Sequence, residues 1–287
     1  MKHRCVIVGA GIIGAALAAR LAERRAVVTI VDTDQPGRGT SASSLAWVNA
    51  NDKPPRAYHD LNVAGIHAWR HWASQLGGDW FRPGGSLHWA DADGAERLVQ
   101  HVAALAAWDY PAQLLTPTQA LQLEPDLAIP PDVREVAYFP DEAYLLTVPA
   151  IQTLLSYAAE HEANLITGDA VVEIQVTASR AHGVRLASGT PIEADTVILC
   201  AGWRTPALAA QIGITVPLVS VDAPGSSAPC LVAWTDPAPV RLSRYLSIFL
   251  PNLDFRPAEG SRILFAAGDV DACVDLFTGA AELAARA

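Results

Sequence analysis

Three glycines and one carboxylate near the start of the chain have the spacing of a phosphate-binding device. Gly9, Gly11 and Gly14 stand in the order G-x-G-x-x-G, and Asp32 follows 18 residues after the last of them. Gly9 permits a sharp turn, Gly11 lets backbone approach a diphosphate, and Gly14 lets a helix pack tightly on neighbouring strands. The diphosphate then meets the amides of Ile12 and Ile13, where unsatisfied N–H groups and the macrodipole favour negative charge. A carboxylate at Asp32 is placed to accept hydrogen bonds from an adenosine ribose, and it disfavours a 2′-phosphate.

Such a device needs a strand, a helix and a second strand to hold it. Cys5–Val8 is apolar and rich in β-branched residues, which predicts a buried strand. The Ala/Leu-rich run from Gly14 to Arg25 predicts a helix, and Val27–Val31 a second strand that ends on Asp32. The glycines follow a strand, open a helix and meet their acid on schedule, so the pattern specifies dinucleotide binding rather than an ordinary turn. Lys2, His3 and Arg4 ahead of an apolar run also suit an export signal. The glycine spacing and the amphipathic continuation through Arg20, Glu23, Arg24 and Arg25 argue against one.

The chain's 287 residues suffice for one large or two modest domains. Twenty basic residues against 30 acidic ones give a net charge of −10 with no basic block, which argues against nucleic acid as a partner. Apolar residues make up 51% of the chain, yet no run is long enough to span a bilayer. Cys5, Cys200, Cys230 and Cys273 form no CxxC pair, a pattern of buried thiols in a reducing cytoplasm, so a cytoplasmic location is expected. The eight histidines are scattered, and no metal site is expected.

Downstream of Asp32, residues 33–44 form a polar loop leading into the apolar Leu45–Asn51. Tyr58–Leu76 carries Leu61, Ile66, Trp69 and Trp72 at helical spacing, so these face a core, while His59, His67 and His71 fall on or near a solvated face. Gly77–Gly85 reads as turns and Ser86–Ala90 as a strand. Helices are expected from Ala95 to about Trp108 and from Thr116 to Leu123, the second with Thr116 as N-cap and Pro117 at its first position. Val133–Phe139 is a strand, and a helix runs to about Glu162. Strands at Asn164–Ile166 and Val171–Val176 precede a hairpin around Ser188–Thr190. The apolar Thr196–Cys200 suits a parallel sheet buried on both faces, beside the first strand. Short strands from Val216 to Phe265 imply a mostly antiparallel sheet, and Asp271–Arg286 is helix-like.

These residues resemble the flavin-dependent group of D-amino acid oxidase, glycine oxidase and sarcosine oxidase. The opening VIVGAGIIGAALAARLAERRAVVTIVD is similar to that group's FAD motif, including Ala18, Leu21 and Val28 beyond the glycines. GTSASSLAWVNAN resembles the segment that wraps the flavin ring, with Ser43 and Ser44 at matching positions. LLTVPAIQTLLSYAAEHEANLI through DTVILCAGW resembles the second cofactor-binding block. There Val171 matches a residue that approaches the adenine by its backbone, and Ala201-Gly202 a small-residue turn near the diphosphate.

The resemblance implies an α/β fold: a Rossmann-like FAD-binding domain of parallel sheet (1–85 and 145–220) and a mostly antiparallel α+β substrate domain (86–144 and 221–287). It implies oxidation of an amine's C–N bond to an imine with FAD as hydride acceptor and an amino acid or secondary amine as substrate. Trp47 and Asn49 are candidates to line the flavin pocket. A substrate carboxylate wants an Arg fork, for which Arg241, Arg244 and Arg256 are candidates, Arg244 foremost, with Tyr245 nearby. Members of the group usually continue with a Gly-rich segment and a last helix that pack against the flavin. Nothing after Gly202 supplies that segment, so a partner chain is one expected source of it. The competing readings are a noncatalytic chain or half of a two-chain enzyme, and a nicotinamide-dependent dehydrogenase.

Overall fold

The computed structural model describes residues 2–218, 230–248 and 252–271. The chain divides into two compact units, Met1–Ser44 with Leu146–Val219, and Leu45–Leu145 with Ser220–Ala287.

The first unit is built on a parallel four-stranded sheet. Strand β1 (Arg4–Val8) lies between Thr196–Leu199 and β2 (Val27–Asp32), and Asn164–Thr167 extends the far side of β2. Val6, Val8 and Val31 pack with Val171, Val184 and Leu186 of an antiparallel three-stranded sheet, Val171–Thr177, Arg180–Leu186 and Pro191–Glu193. Helix α1 (Ile12–Glu23) buries Gly14, Ala15, Ala18, Ala19 and Ala22, and a side of such small residues lets the helix come close to the strands. It packs against the helix Thr147–Glu160. The strand Thr196–Leu199 pairs with β1 as expected, but among the described residues it forms the sheet's edge. Val197, Ile198 and Leu199 are therefore half-exposed rather than buried on both faces.

The turn between β1 and α1 leaves no space for side chains. Gly9 has φ +110°, and a Cβ there would collide with the carbonyl oxygen of Cys200. A Cβ on Gly14 would overlap the carbonyl oxygen of Gly9.

The second unit carries a seven-stranded sheet in the order Ala233–Trp234, Arg262–Ala267, Leu253–Ala258, Tyr245–Ile248, Ser86–Trp89, Val136–Phe139 and Gln113–Leu115. All its pairings are antiparallel except Tyr245–Ile248 with Ser86–Trp89. A smaller antiparallel sheet joins Trp47–Val48, Ala143–Leu145 and Phe81–Pro83. Its short strands lack readable alternation, and Phe81–Pro83 falls inside the stretch expected to be only turns. The helix Pro117–Leu123 starts as expected, with Thr116 and Gln119 forming a reciprocal capping box. The helix Arg56–Leu76 buries Ile66 and Trp72, whereas Leu61 is 67% exposed.

His59 is a correction to its expected solvation. It is 1% exposed, its Nδ1 lies 2.7 Å from the Ala50 carbonyl oxygen, and its ring meets Trp108 and Tyr110 edge-on. A helical projection does not register a neighbouring loop that covers one position. Of the cysteines expected to be buried, Cys5 is, Cys200 is half-buried and Cys230 is exposed. Cys273 and most of the expected helix from Asp271 to Arg286 lie outside the described residues.

At the centre of the second unit, one fully buried carboxylate collects hydrogen bonds from distant parts of the sequence. Glu142 accepts from Trp47 Nε1 (3.0 Å), Asn51 Nδ2 (2.9 Å), Ser86 Oγ (2.6 Å), Tyr110 OH (2.8 Å) and the amides of Ala50 and Asn51 (3.3 and 3.2 Å). Burial pushes its pKa up and the donors pull against that. Because Ser86 donates to Glu142, its oxygen is left to accept from His88 Nε2, 3.1 Å away. Complete burial pushes His88 down to about 3, so it is neutral at physiological pH.

Two outcomes follow for stability. In Gly14→Ala the new methyl meets backbone that cannot swing aside, and unfolding in urea should show a loss of about 1–3 kcal/mol. A wild-type midpoint would contradict the close seating of the helix. For His88, the depressed pKa gives a contribution that is complete above its unfolded value near 6.5 and is lost as pH falls toward 3. Wild type should therefore lose about 2 kcal/mol more than His88→Gln between pH 7 and 5. Equal losses in the two proteins would show that His88 is not held neutral.

Candidate functional site

The first unit presents a set of donors at the start of α1. Ala10 N donates to Asp32 Oδ2 (2.7 Å), and Asp34 N donates to Asp32 Oδ1 (3.0 Å). Asp32 thus closes the turn beside the glycines, and each of its oxygens retains a further lone pair for a hydroxyl. Ile12 N donates to Ser41 Oγ (3.1 Å), while no hydrogen bond within the described residues uses the amides of Gly11 or Ile13. A Cβ on Gly11 would meet Ser41 Oγ at 3.2 Å.

The 33–44 loop is folded back onto this turn. Gly37 N donates to Ala10 O (3.0 Å), and Thr147 Oγ1 donates to Ser41 O (2.6 Å). Ser41 is the hydroxyl that reaches the glycine turn. Ser43 is exposed, with its Oγ 3.5 Å from Thr40 O, and Ser44 is half-buried. Both had been singled out from this loop, whereas Ser41 stands two positions earlier in the same run of small polar residues. Val171, 8% exposed, starts its strand opposite Leu186. Ala201 and Gly202 follow the edge strand, whose extension donates from Cys200 N to Val8 O (2.7 Å). Gly9, Gly11, Ile12, Ile13, Gly14, Asp32 and Ser41 are thereby gathered at one end of β1 and β2.

This arrangement suits a diphosphate. Unused amides at a helix N-terminus, a hydroxyl beside them and a backbone bare of side chains are the groups that an anionic dinucleotide requires. No cluster of metal-ligating side chains exists among the described residues. No helix among them is long and apolar enough to cross a membrane.

The second unit holds the other candidates. Trp47 stacks on Tyr245 with ring centroids 4.4 Å apart and planes 10° from parallel, and His88 lies against it at 4.9 Å. The Trp47 indole is fixed from its edge by Glu142. Asn49 Nδ2 is 3.4 Å from Trp47 O, and its Oδ1 is buried with no partner among the described residues. Tyr245 is 2% exposed, and its pKa is raised by burial and by the nearby Asp254 carboxyl, whose Oδ1 is buried without a partner among the described residues. Burial also raises Asp254. Neither Glu142 nor Asp254 announces itself in the sequence, since a lone acid beside an apolar run has no spacing to read.

Two of the three candidate arginines have side-chain partners within this unit. Arg244 donates from Nε to Gly84 O (2.8 Å) and from Nη1 to Leu123 O (2.6 Å) and Glu124 Oε1 (2.9 Å), and Glu124 is itself buried. Its Nε and Nη1 thus hold loops together, with Glu124 as their carboxylate partner. Arg256 is 5% exposed, donates to Leu45 O (2.6 Å) and Pro257 O (2.8 Å), and lies over the Tyr144 ring. Arg241 is joined through its amide to Asp126 Oδ2 (2.6 Å).

Comparison with known proteins agrees with this geometry. A family model described as FAD dependent oxidoreductase (DAO) matches residues 4–286. D-amino acid dehydrogenase 2 of Pseudomonas aeruginosa is 26% identical over 274 residues, covering 76% of this chain and 64% of that protein. The chain thus spans less than two thirds of that relative's length. Among solved structures, L-proline dehydrogenase from P. horikoshii superposes with a TM-score of 0.77 at 19% identity, over 93% of this chain and 70% of that one. Glycine oxidase from Geobacillus kaustophilus gives 0.77 at 23% identity, over 93% and 72%. With the family model covering nearly its whole length and the glycine turn built as described, the chain belongs to the FAD-dependent oxidoreductase family.

Proposed function

We propose that this chain binds FAD and oxidises the C–N bond of an amino acid or secondary amine to an imine. The observation that carries the reading is the turn at Gly9–Gly14, where the amides of Gly11 and Ile13 have no hydrogen bond among the described residues and that of Ile12 meets only the Ser41 hydroxyl. In this reading the amides of Gly11, Ile12 and Ile13 and the Ser41 hydroxyl hold the diphosphate, and Asp32 takes the ribose. Val171 approaches the adenine by its backbone, with Ser43, Ser44, Ala201 and Gly202 around the cofactor.

The expected division of labour assigns the dinucleotide to residues 1–85 and 145–220 and the substrate to 86–144 and 221–287, whereas the compact units divide after Ser44, so that Trp47 and Asn49 belong to the second unit. Trp47, Asn49 and Tyr245 are the substrate-side candidates, together with Arg244, whose Nε and Nη1 are engaged with Gly84, Leu123 and Glu124. FAD, when bound, supplies the two-electron acceptor. What remains for the protein is to orient the substrate's C–H bond, for a neutral amine needs no strong base to assist it. The names of the relatives, a D-amino acid dehydrogenase and a glycine oxidase, support an amino-acid substrate. The half-exposed apolar edge strand Thr196–Leu199 supports pairing with a further strand, such as a partner chain could supply.

The test is the absorption spectrum of protein purified without added cofactor, followed by amino-acid additions. Flavin bands that bleach with an amino acid are expected; bands that no amine bleaches would favour a noncatalytic chain, and tight binding of reduced nicotinamide without flavin a dehydrogenase. Gly11→Val should abolish FAD retention, because its side chain enters the space that the diphosphate needs. Asp32→Ala should weaken FAD binding by about 1–3 kcal/mol in a titration. Unchanged retention in both variants would refute the assignment of the turn.

A further inference from the structure

We infer that Glu142 is a positioning residue for substrate oxidation, acting through the hydrogen bond that its Oε2 accepts from Trp47 Nε1. The inference rests on the oxidoreductase reading for the reaction, and on the second unit alone for the geometry.

Trp47 is half-buried, so part of its ring is left for a ligand to meet. Its strand is only two residues long, and its ring lies against Tyr245, with planes 10° and centroids 4.4 Å apart, and against His88 at 4.9 Å. Stacking sets the plane of an indole but resists sliding within that plane weakly. A directional bond at the ring's edge supplies the missing restraint, and Glu142 Oε2, 3.0 Å from Nε1, is its acceptor.

The two oxygens of Glu142 have different partners. Oε1 accepts from Tyr110 OH (2.8 Å), Ala50 N (3.3 Å) and Asn51 N (3.2 Å), and Oε2 from Trp47 Nε1 and from Ser86 Oγ (2.6 Å). Asn51 Nδ2 reaches both, at 2.9 and 3.0 Å. Indole and amide nitrogens can only donate, whereas a hydroxyl can turn and accept. In Glu142→Gln the amide oxygen therefore belongs at the Oε1 position, among the backbone amides and Asn51. The new NH2 falls at the Oε2 position, where it donates to Ser86 and meets Trp47 Nε1 as a second donor. Ser86 then donates to His88 Nε2, 3.1 Å away, which a neutral imidazole accepts in one tautomer. The substitution thus releases Trp47 while most of the network stays satisfied. If that ring aligns the substrate's C–H bond, its release lowers the rate more than the affinity.

The test follows flavin bleaching in wild type, Glu142→Gln, Trp47→Phe and the double variant, with near-UV circular dichroism on the same samples. Glycine, N-methylglycine and the D- and L-amino acids are screened on wild type, and the fastest is used throughout. Glu142→Gln should bleach at saturation about tenfold more slowly or worse, with the half-saturating concentration changed by less than about threefold. Trp47→Phe removes the same bond without touching the carboxyl and should also be slow, and adding Glu142→Gln to it should slow bleaching no further. The near-UV signal that Trp47→Phe removes should be weakened in Glu142→Gln. A wild-type saturating rate in either single variant, or an equal further slowing by Glu142→Gln in both backgrounds, overturns the assignment. A wild type that no amino acid bleaches removes the oxidoreductase reading instead. In that case an unchanged near-UV signal in Glu142→Gln overturns the restraint on Trp47 independently.

Discussion

A Cβ on Gly14 would overlap the carbonyl oxygen of Gly9, and the first unit is arranged around that close approach. Helix α1 can sit this low because its inner side is glycine and alanine, and its N-terminal amides are thereby aimed past the end of β1. The Asp32 carboxylate locks the same turn through Ala10 N, and the 33–44 loop closes over it through Gly37 and Ser41. Each of these interactions brings backbone donors together and keeps side chains away, which is what binding an anion by backbone demands.

The second unit solves a different problem by a different means. Its smaller sheet has strands of two and three residues, too short to hold a register by pairing alone. Glu142 supplies what the pairing lacks. A buried carboxyl carries a desolvation cost, but removing it would strand six donors from three parts of the sequence, so the network has one arrangement that satisfies it. Trp47, Ala50, Asn51, Ser86 and Tyr110 are positioned as a set. The face on which Trp47, Tyr245 and Lys53 meet inherits its rigidity from that set.

The first unit was legible because its signals are local. A β-branched run, glycines at fixed offsets and an acid at the next strand's end each constrain backbone within a few residues, and Thr116-Pro117 marked a helix start in the same way. The loop serines were legible as a group but not individually, since which hydroxyl meets the turn depends on how residues 33–44 fold back. The second unit's chemistry was hidden because it is assembled across distance. Glu142 meets partners up to 95 positions away, and Arg244 reaches Gly84, Leu123 and Glu124. No periodicity marks such pairs, so a partly engaged arginine looked like a free one, and a buried histidine like a solvated one.

The central claim is that an adenine dinucleotide is held by backbone at the mouth of β1. Amide hydrogen exchange of the full chain with and without added FAD, read by mass spectrometry, tests it peptide by peptide. FAD should slow exchange in peptides covering residues 9–14 and 32–44 and leave the hairpin at 180–193 unchanged. FAD that binds while those two peptides exchange at their original rates would contradict the account.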